Sequence, residues 1–336
     1  MYHPHCSIRT PNVSYLIGFR YLKKDAKGYL HFIYISENIV NNYVDDLLGS
    51  GFVKRYFELC AEKDSFLCVG IDPVTSDMRD NFVIPNFLID KFGVSEGLKK
   101  FCIDIIRAVG PYTPIIKPNA QYLTYALSMI DLKEIVEVIH EVGCLALLDC
   151  KLTDISSTNA SGLYWIDRLG FDAVTFSPFS GYTDGVESIY KWSEKKDKGI
   201  FALCRMSNLG AHDYQSLVVN EDPLYLHFAR DAFLRGCNGY VVGCTAPREL
   251  GEIREIIGEE RLILSPGLGP QGGNPEEALR LGTNSKGNGL IVSSSRSINY
   301  AYEKLGWDEE KYAYAATRQA EKKRDELNKY RLELFG

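Results

Sequence analysis

The nine cysteines (Cys6, Cys60, Cys68, Cys102, Cys144, Cys150, Cys204, Cys237 and Cys244) contain no C-x-x-C pair, and the six histidines contain no H-E-x-x-H pair. No His, Cys or carboxylate group carries metal-ligand spacing, so no metal and no other cofactor is expected. Most of the cysteines lie inside apolar runs, where a thiol behaves as a small hydrophobe, and they read as reduced and intracellular. Basic charge is also short. With 38 Lys and Arg against 44 Asp and Glu, the formal net charge of -6 argues against a general nucleic-acid binder. A local Arg or Lys still suffices for one phosphate, so the expected ligand is a small molecule. No apolar run approaches the length of a membrane span, and the N-terminus around His3, His5 and Arg9 lacks the apolar core of a signal peptide. The expectation is a cytoplasmic protein with no membrane association. No segment is of low complexity, and 45% hydrophobic with 24% charged residues is the balance of a globular enzyme.

What is present is a repeat of short apolar runs and longer amphipathic stretches. The runs are Phe66 to Ile71, Pro114 to Ile116, Leu145 to Leu148, Ala173 to Phe176, Gly199 to Cys204, Gly239 to Gly243, Leu262 to Leu264 and Gly289 to Val292. They have the length and apolar continuity of strands buried on both faces. Between them Ser95 to Ala108, Leu132 to Glu141 and Pro223 to Gly236 have helical periodicity. Eight strand-then-helix units predict an α/β protein, a (β/α)8 TIM barrel; an open doubly wound sheet shares the periodicity and stays open as the alternative. One pattern favours the barrel. Polar residues follow nearly every run: Asp72, Lys117, Asp149 with Lys151, Ser177, Ser207, Ser265, and Ser293 to Arg296. In a barrel these positions gather at the C-terminal mouth, where active sites of this fold are built.

Residues 1–51 stand outside the repeat as an N-terminal extension, and residues 52–336 form the barrel domain with a C-terminal helical segment. In the extension, Ser14 to Leu22 and Tyr29 to Ser36 read as two strands around the turn Lys23 to Gly28, a β-hairpin. A helix from Val53 to Glu62 leads into the first barrel strand and is placed to plug the barrel's bottom. The charge-rich stretch Asp308 to Leu334 reads as one or two solvated helices on the outside.

The chemistry concentrates in Leu145-Ala-Leu-Leu-Asp149-Cys-Lys151-Leu-Thr-Asp154-Ile. Strand side chains alternate, so Asp149 and Lys151 are expected on one face, with Asp154 just beyond in a loop. Such a pair also fits a purely structural ion pair. Lys117, ending the neighbouring run, can reach the same group, making two lysines and two aspartates of alternating charge, a cluster able to hold a carboxylate ionised. The loop Ser265-Pro-Gly-Leu-Gly-Pro-Gln271-Gly-Gly273 and the run Ser293-Ser-Ser-Arg296 follow the seventh and eighth strands, where this fold binds phosphate. After the fifth strand, Met206-Ser207-Asn208-Leu-Gly-Ala-His212-Asp-Tyr-Gln215 is a polar loop able to hydrogen-bond a heterocycle.

Together these motifs resemble the orotidine 5'-monophosphate (OMP) decarboxylase family, from about Phe66 to Ala301. Val69-Gly-Ile-Asp72-Pro, Lys117-Pro-Asn119, Asp149-x-Lys151-x-x-Asp154-Ile, and Ser265-Pro-Gly-x-Gly-x-Gln271-Gly-Gly with Arg296-Ser-Ile carry the likeness. D-x-K-x-x-D is shared with related sugar-phosphate decarboxylases and aldolases; Lys117 separates this chain from the metal-dependent members, which typically carry an acidic residue there. The resemblance implies decarboxylation of OMP to UMP, with Lys151 protonating C6 and Asp149 facing the leaving carboxylate. By the same resemblance, Lys117 and Asp72 bind ribose hydroxyls, Ser207 reads the pyrimidine, and Gln271 and Arg296 hold the phosphate. Asp154 and Thr158 are implied to reach the partner subunit's site in a homodimer. Two departures stand out: Ser295 replaces the common Gly before the phosphate Arg, and Leu209 replaces a common Pro. No phosphoribosyltransferase signature of paired acidic residues before a Gly-rich loop is present.

Overall fold

A computed structural model describes residues 21–24, 30–33, 51–267 and 273–336. The chain divides into two units, residues 1–49 and 50–336. In the first, β1 (Tyr21–Lys24) and β2 (Leu30–Ile33) pair antiparallel, with Tyr21 opposite Ile33 and Lys24 opposite Leu30. Lys23 and Lys24, expected in the turn, belong to the strand; the remainder of the expected hairpin lies outside the described residues.

The second unit is built on β3 (Leu67–Ile71), β4 (Ile115–Pro118), β5 (Leu145–Leu152), β6 (Ala173–Phe176) and β7 (Gly199–Arg205). A small hairpin of β8 (Val218–Val219) and β9 (Asp222–Pro223) intervenes before β10 (Gly239–Val242), β11 (Leu262–Ser265) and β12 (Leu290–Ser294). All but β8 and β9 pair in parallel, and β12 closes on β3 from Val292 opposite Leu67 to Ser294 opposite Val69. Closure decides for the eight-stranded barrel over the open sheet.

Alternate strand residues divide between two cores. Leu67, Val69 and Ile71 face the surrounding helices, while Cys68, Ile115, Leu147, Phe201, Leu264 and Ile291 fill the interior. The helix Phe52–Lys63 supplies Phe52, Val53 and Tyr56 to that interior cluster, so it plugs the barrel as its sequence suggests. Phe52 meets Phe201 edge to face at 5.9 Å. Glycine at position 199 makes this possible, because a Cβ there would fall 2.6 Å from the Phe52 ring.

The expected helices appear as Val94–Val109, Met129–Glu141 and Leu224–Leu234. The second begins earlier than its apolar period, at a capping box: the Asp131 amide donates to the Ser128 hydroxyl at 3.2 Å, and the Ser128 amide to the Asp131 carboxylate at 3.0 Å. The C-terminal stretch is one helix, Tyr312–Phe335, seated on Val94–Val109 through Tyr312 stacked on Phe101 at 5.5 Å. Among the described residues no helix is long and apolar enough to cross a membrane.

Candidate active site

The first four residues of β5 are buried, and then its ladder to β6 breaks: Leu148 pairs with Val174, but the next pair is Leu152 with Phe176. Within the break Lys151 takes a left-handed backbone, φ +51°. A non-glycine residue there costs roughly 1–2 kcal/mol and persists only where its surroundings fix it. Thr175 does so from β6, accepting from the Lys151 amide at 3.0 Å and donating to Asp149 Oδ1 at 2.9 Å. Asp149 and Lys151 therefore meet through a bulge rather than through the plain alternation expected of a strand.

Lys151 Nζ lies 2.7 Å from Asp149 Oδ1, and Lys117 Nζ, from β4, lies 2.9 Å from Asp149 Oδ2. The Lys117 and Asp149 side chains are only 7% and 13% exposed, whereas Lys151 is 38% exposed and so retains access to solvent or ligand. Burial pushes the Asp149 carboxyl up, yet the two ammonium groups more than reverse this and hold it well below the usual carboxylate range. Burial likewise works against the Lys117 charge, and the Asp149 and Asp72 carboxylates outweigh it, holding Lys117 above its ordinary value. Asp72 follows β3; its backbone is fixed by the Tyr300 hydroxyl, which donates to its carbonyl at 2.6 Å, and its Oδ1 is buried with no hydrogen-bond partner among the described residues. A buried, unpartnered acceptor beside a cation is a ready contact for a ligand hydroxyl.

These groups open onto a cavity of about 320 Å³ at the barrel mouth, large enough for a small polar ligand. Asp72, Lys117, Asp149, Lys151, Ser207 and Arg296 all line it. Asp154 and Thr158 do not. Both are exposed, and the Asp154 carboxylate accepts from the Ile155 amide at 2.7 Å, so within one chain the second carboxylate of the charge network is Asp72 rather than Asp154. Gln271 lies outside the described residues. Ser177 and Ser265 end strands but serve the scaffold: Ser177 caps a short helical turn by accepting from the Phe179 amide, and buried Ser265 donates to the Val242 carbonyl at 2.7 Å. Arg79, Tyr122 and Tyr300 also line the cavity and were not legible as site residues, because each sits in a loop or helix without motif spacing. Among the described residues no three His, Cys, Asp or Glu side chains converge in a group fit for a metal ion.

The geometry has counterparts. Residues 65–305 match the family model described as orotidine 5'-phosphate decarboxylase / HUMPS family. The orotidine 5'-phosphate decarboxylase of Cupriavidus metallidurans is 34% identical over 287 residues, covering 83% of this chain and 98% of that protein. Among solved structures, the OMP decarboxylase of Leishmania donovani is similar at a TM-score of 0.66 and 25% identity, covering 82% of this chain and 99% of that one. The UMP synthase of the same organism is similar at a TM-score of 0.67 and 27% identity; there 82% of this chain is covered but only 56% of that longer one. A family match across most of the barrel, joined to the lysine-aspartate-lysine cluster at its mouth, places this chain in the orotidine 5'-phosphate decarboxylase / HUMPS family.

Proposed function

We propose that this chain is a carboxy-lyase that converts OMP to UMP and carbon dioxide in de novo pyrimidine biosynthesis. The observation that carries this is the ionised Asp149 carboxylate held between Lys117 and Lys151, 2.9 and 2.7 Å away, at the mouth of the barrel. With the substrate carboxylate set against Asp149, the bond between C6 and that carboxylate breaks and its electron pair stays on C6. Lys151 donates a proton to C6, closing the C–H bond, and regains one from water. A fixed ammonium beside the developing carbanion needs no reorganisation during the reaction, which is the larger source of rate; repulsion between the two carboxylates in the ground state is the smaller.

Lys117 and Asp72 take the ribose hydroxyls, Ser207 the pyrimidine edge, and Gln271 with Arg296 the phosphate. Asp154 and Thr158 serve the neighbouring subunit's site in a cytoplasmic homodimer; their exposure outside the lining of their own cavity supports this assignment. The test is the ultraviolet absorbance change as OMP becomes UMP, followed with and without a chelator. Chelator-insensitive turnover is expected. Turnover abolished by the chelator would favour a metal-dependent sugar-phosphate chemistry of the same superfamily, and UMP binding without turnover would favour a nucleotide-binding role.

A further inference from the structure

Charge at the cavity is uneven. Four cations line it, Arg79, Lys117, Lys151 and Arg296, against two carboxylates, Asp72 and Asp149. The two lysines and two aspartates are one another's partners, by the contacts of Asp149 and by the pull of both carboxylates on Lys117. Among the described residues no carboxylate pairs with Arg79 or Arg296. A phosphate monoester carries about -1.5 to -2 charges at neutral pH, so the surplus matches one phosphate group.

Arg79 is held in place for such a contact. From the loop after β3 its Nε donates to the Phe82 carbonyl at 2.9 Å, Nη2 donates to the same oxygen, and the guanidinium stands 5.1 Å from the centre of the Tyr300 ring. Nη1 has no partner among the described residues. Phe82 in turn is fixed. It sits at φ +56°, with its amide donating to Glu303 Oε2 at 2.7 Å and the Val83 amide to Oε1 at 2.8 Å. Arg296 lies over the ring of the same Phe82, 5.9 Å from its centre. One residue is thus flanked by both arginines, and the loop carrying Arg79 is pinned to the helix Ala301–Leu305 that follows Arg296. An arginine ordered before binding gives up less freedom when it meets a phosphate.

We propose that Arg79 is a second phosphate-binding arginine, which together with Arg296 takes the 5'-phosphate of the nucleotide. This rests on the proposed nucleotide substrate. The experiment compares UMP and uridine as inhibitors of OMP turnover in the unaltered chain, Arg79→Gln and Arg296→Ala. The Arg79→Gln change keeps a side-chain N–H donor near the Phe82 carbonyl but removes the charge and the unpartnered Nη1 donor. It is expected to weaken UMP by at least about tenfold, as loss of one charge-assisted bond does, with uridine unchanged within about twofold. UMP inhibition within about twofold of the unaltered chain, or equal losses for UMP and uridine, would overturn the proposal. Turnover of OMP by the unaltered chain is scored on its own, so failure of the substrate assignment is distinguishable from failure of Arg79.

Discussion

Lys151 reaches Asp149 at 2.7 Å from a left-handed backbone, φ +51°, that lysine rarely adopts. With the Lys151 side chain 38% exposed, solvent screening holds this ion pair to about 1 kcal/mol, which by itself does not reliably offset roughly 1–2 kcal/mol of backbone cost. Thr175 and the break in the ladder hold Lys151 there, and strain retained at a cavity wall supports the chemical role proposed for Lys151.

Lys151→Ala is therefore expected to lower OMP turnover by at least about three orders of magnitude, the range of a lost proton donor and a lost transition-state charge together. UMP binding should be largely retained. Stopped-flow absorbance and equilibrium titration measure the two; turnover within tenfold of the unaltered chain would remove Lys151 as the donor.

Asp149 and Lys117 set a pH window. The Asp149 carboxyl is held below its unfolded value near 3.9, so its stabilisation is complete above about pH 4 and is lost as pH falls through the folded value. Lys117 is held above its unfolded value, so its share is complete below about pH 10 and is lost as pH rises through the folded value. Asp149→Asn leaves a buried ammonium without its carboxylate and is expected to cost about 3 kcal/mol, the lower end for breaking a buried pair because Lys151 can turn to water. Urea denaturation from pH 3 to 9 checks it. The difference between the two proteins should be flat above about pH 5 and shrink only in stronger acid; a difference that fades near neutral pH would assign the effect to other groups.

Mixing tests the shared site. If Lys151 of one subunit works with Asp154 of the other, a heterodimer of Lys151→Ala and Asp154→Ala chains has one intact site and one doubly altered site. Statistical exchange of equal amounts then returns about a quarter of full activity. Subunit exchange shown by differential labelling, with no recovered turnover, would place Asp154 in its own chain's site or outside the chemistry.

The plug carries a separate expectation. Phe52 is 2% exposed and packs on Phe201, so Phe52→Ala should destabilise the barrel by about 3–5 kcal/mol through lost burial and the cavity left behind. A urea midpoint shift equivalent to less than about 1 kcal/mol would show that the interior closes over the gap without it.

Much was legible before folding. The eight apolar runs are short and mostly continuous, the pattern of strands buried on both faces, and each of the eight forms a barrel strand. The polar residues ending those runs marked the mouth, and Lys117, Asp149 and Lys151 do meet there. Arg79, Tyr122, Thr175 and Tyr300 were missed, since their spacing has no period and their roles exist only where separate loops and strands converge.

By itself, the order of apolar and polar residues determined the repeat, the strand ends and the chemical types available at them, because burial on both faces and helical periodicity are local properties of a chain. Tertiary structure decided the rest. Closure of β12 on β3 chose the barrel over an open sheet, the break in β5 aimed Lys151 where simple alternation does not, and Asp72 instead of Asp154 completed the charge balance within the chain. Each depends on residues far apart in sequence, whose distances are set only when the packed core fixes one strand against the next.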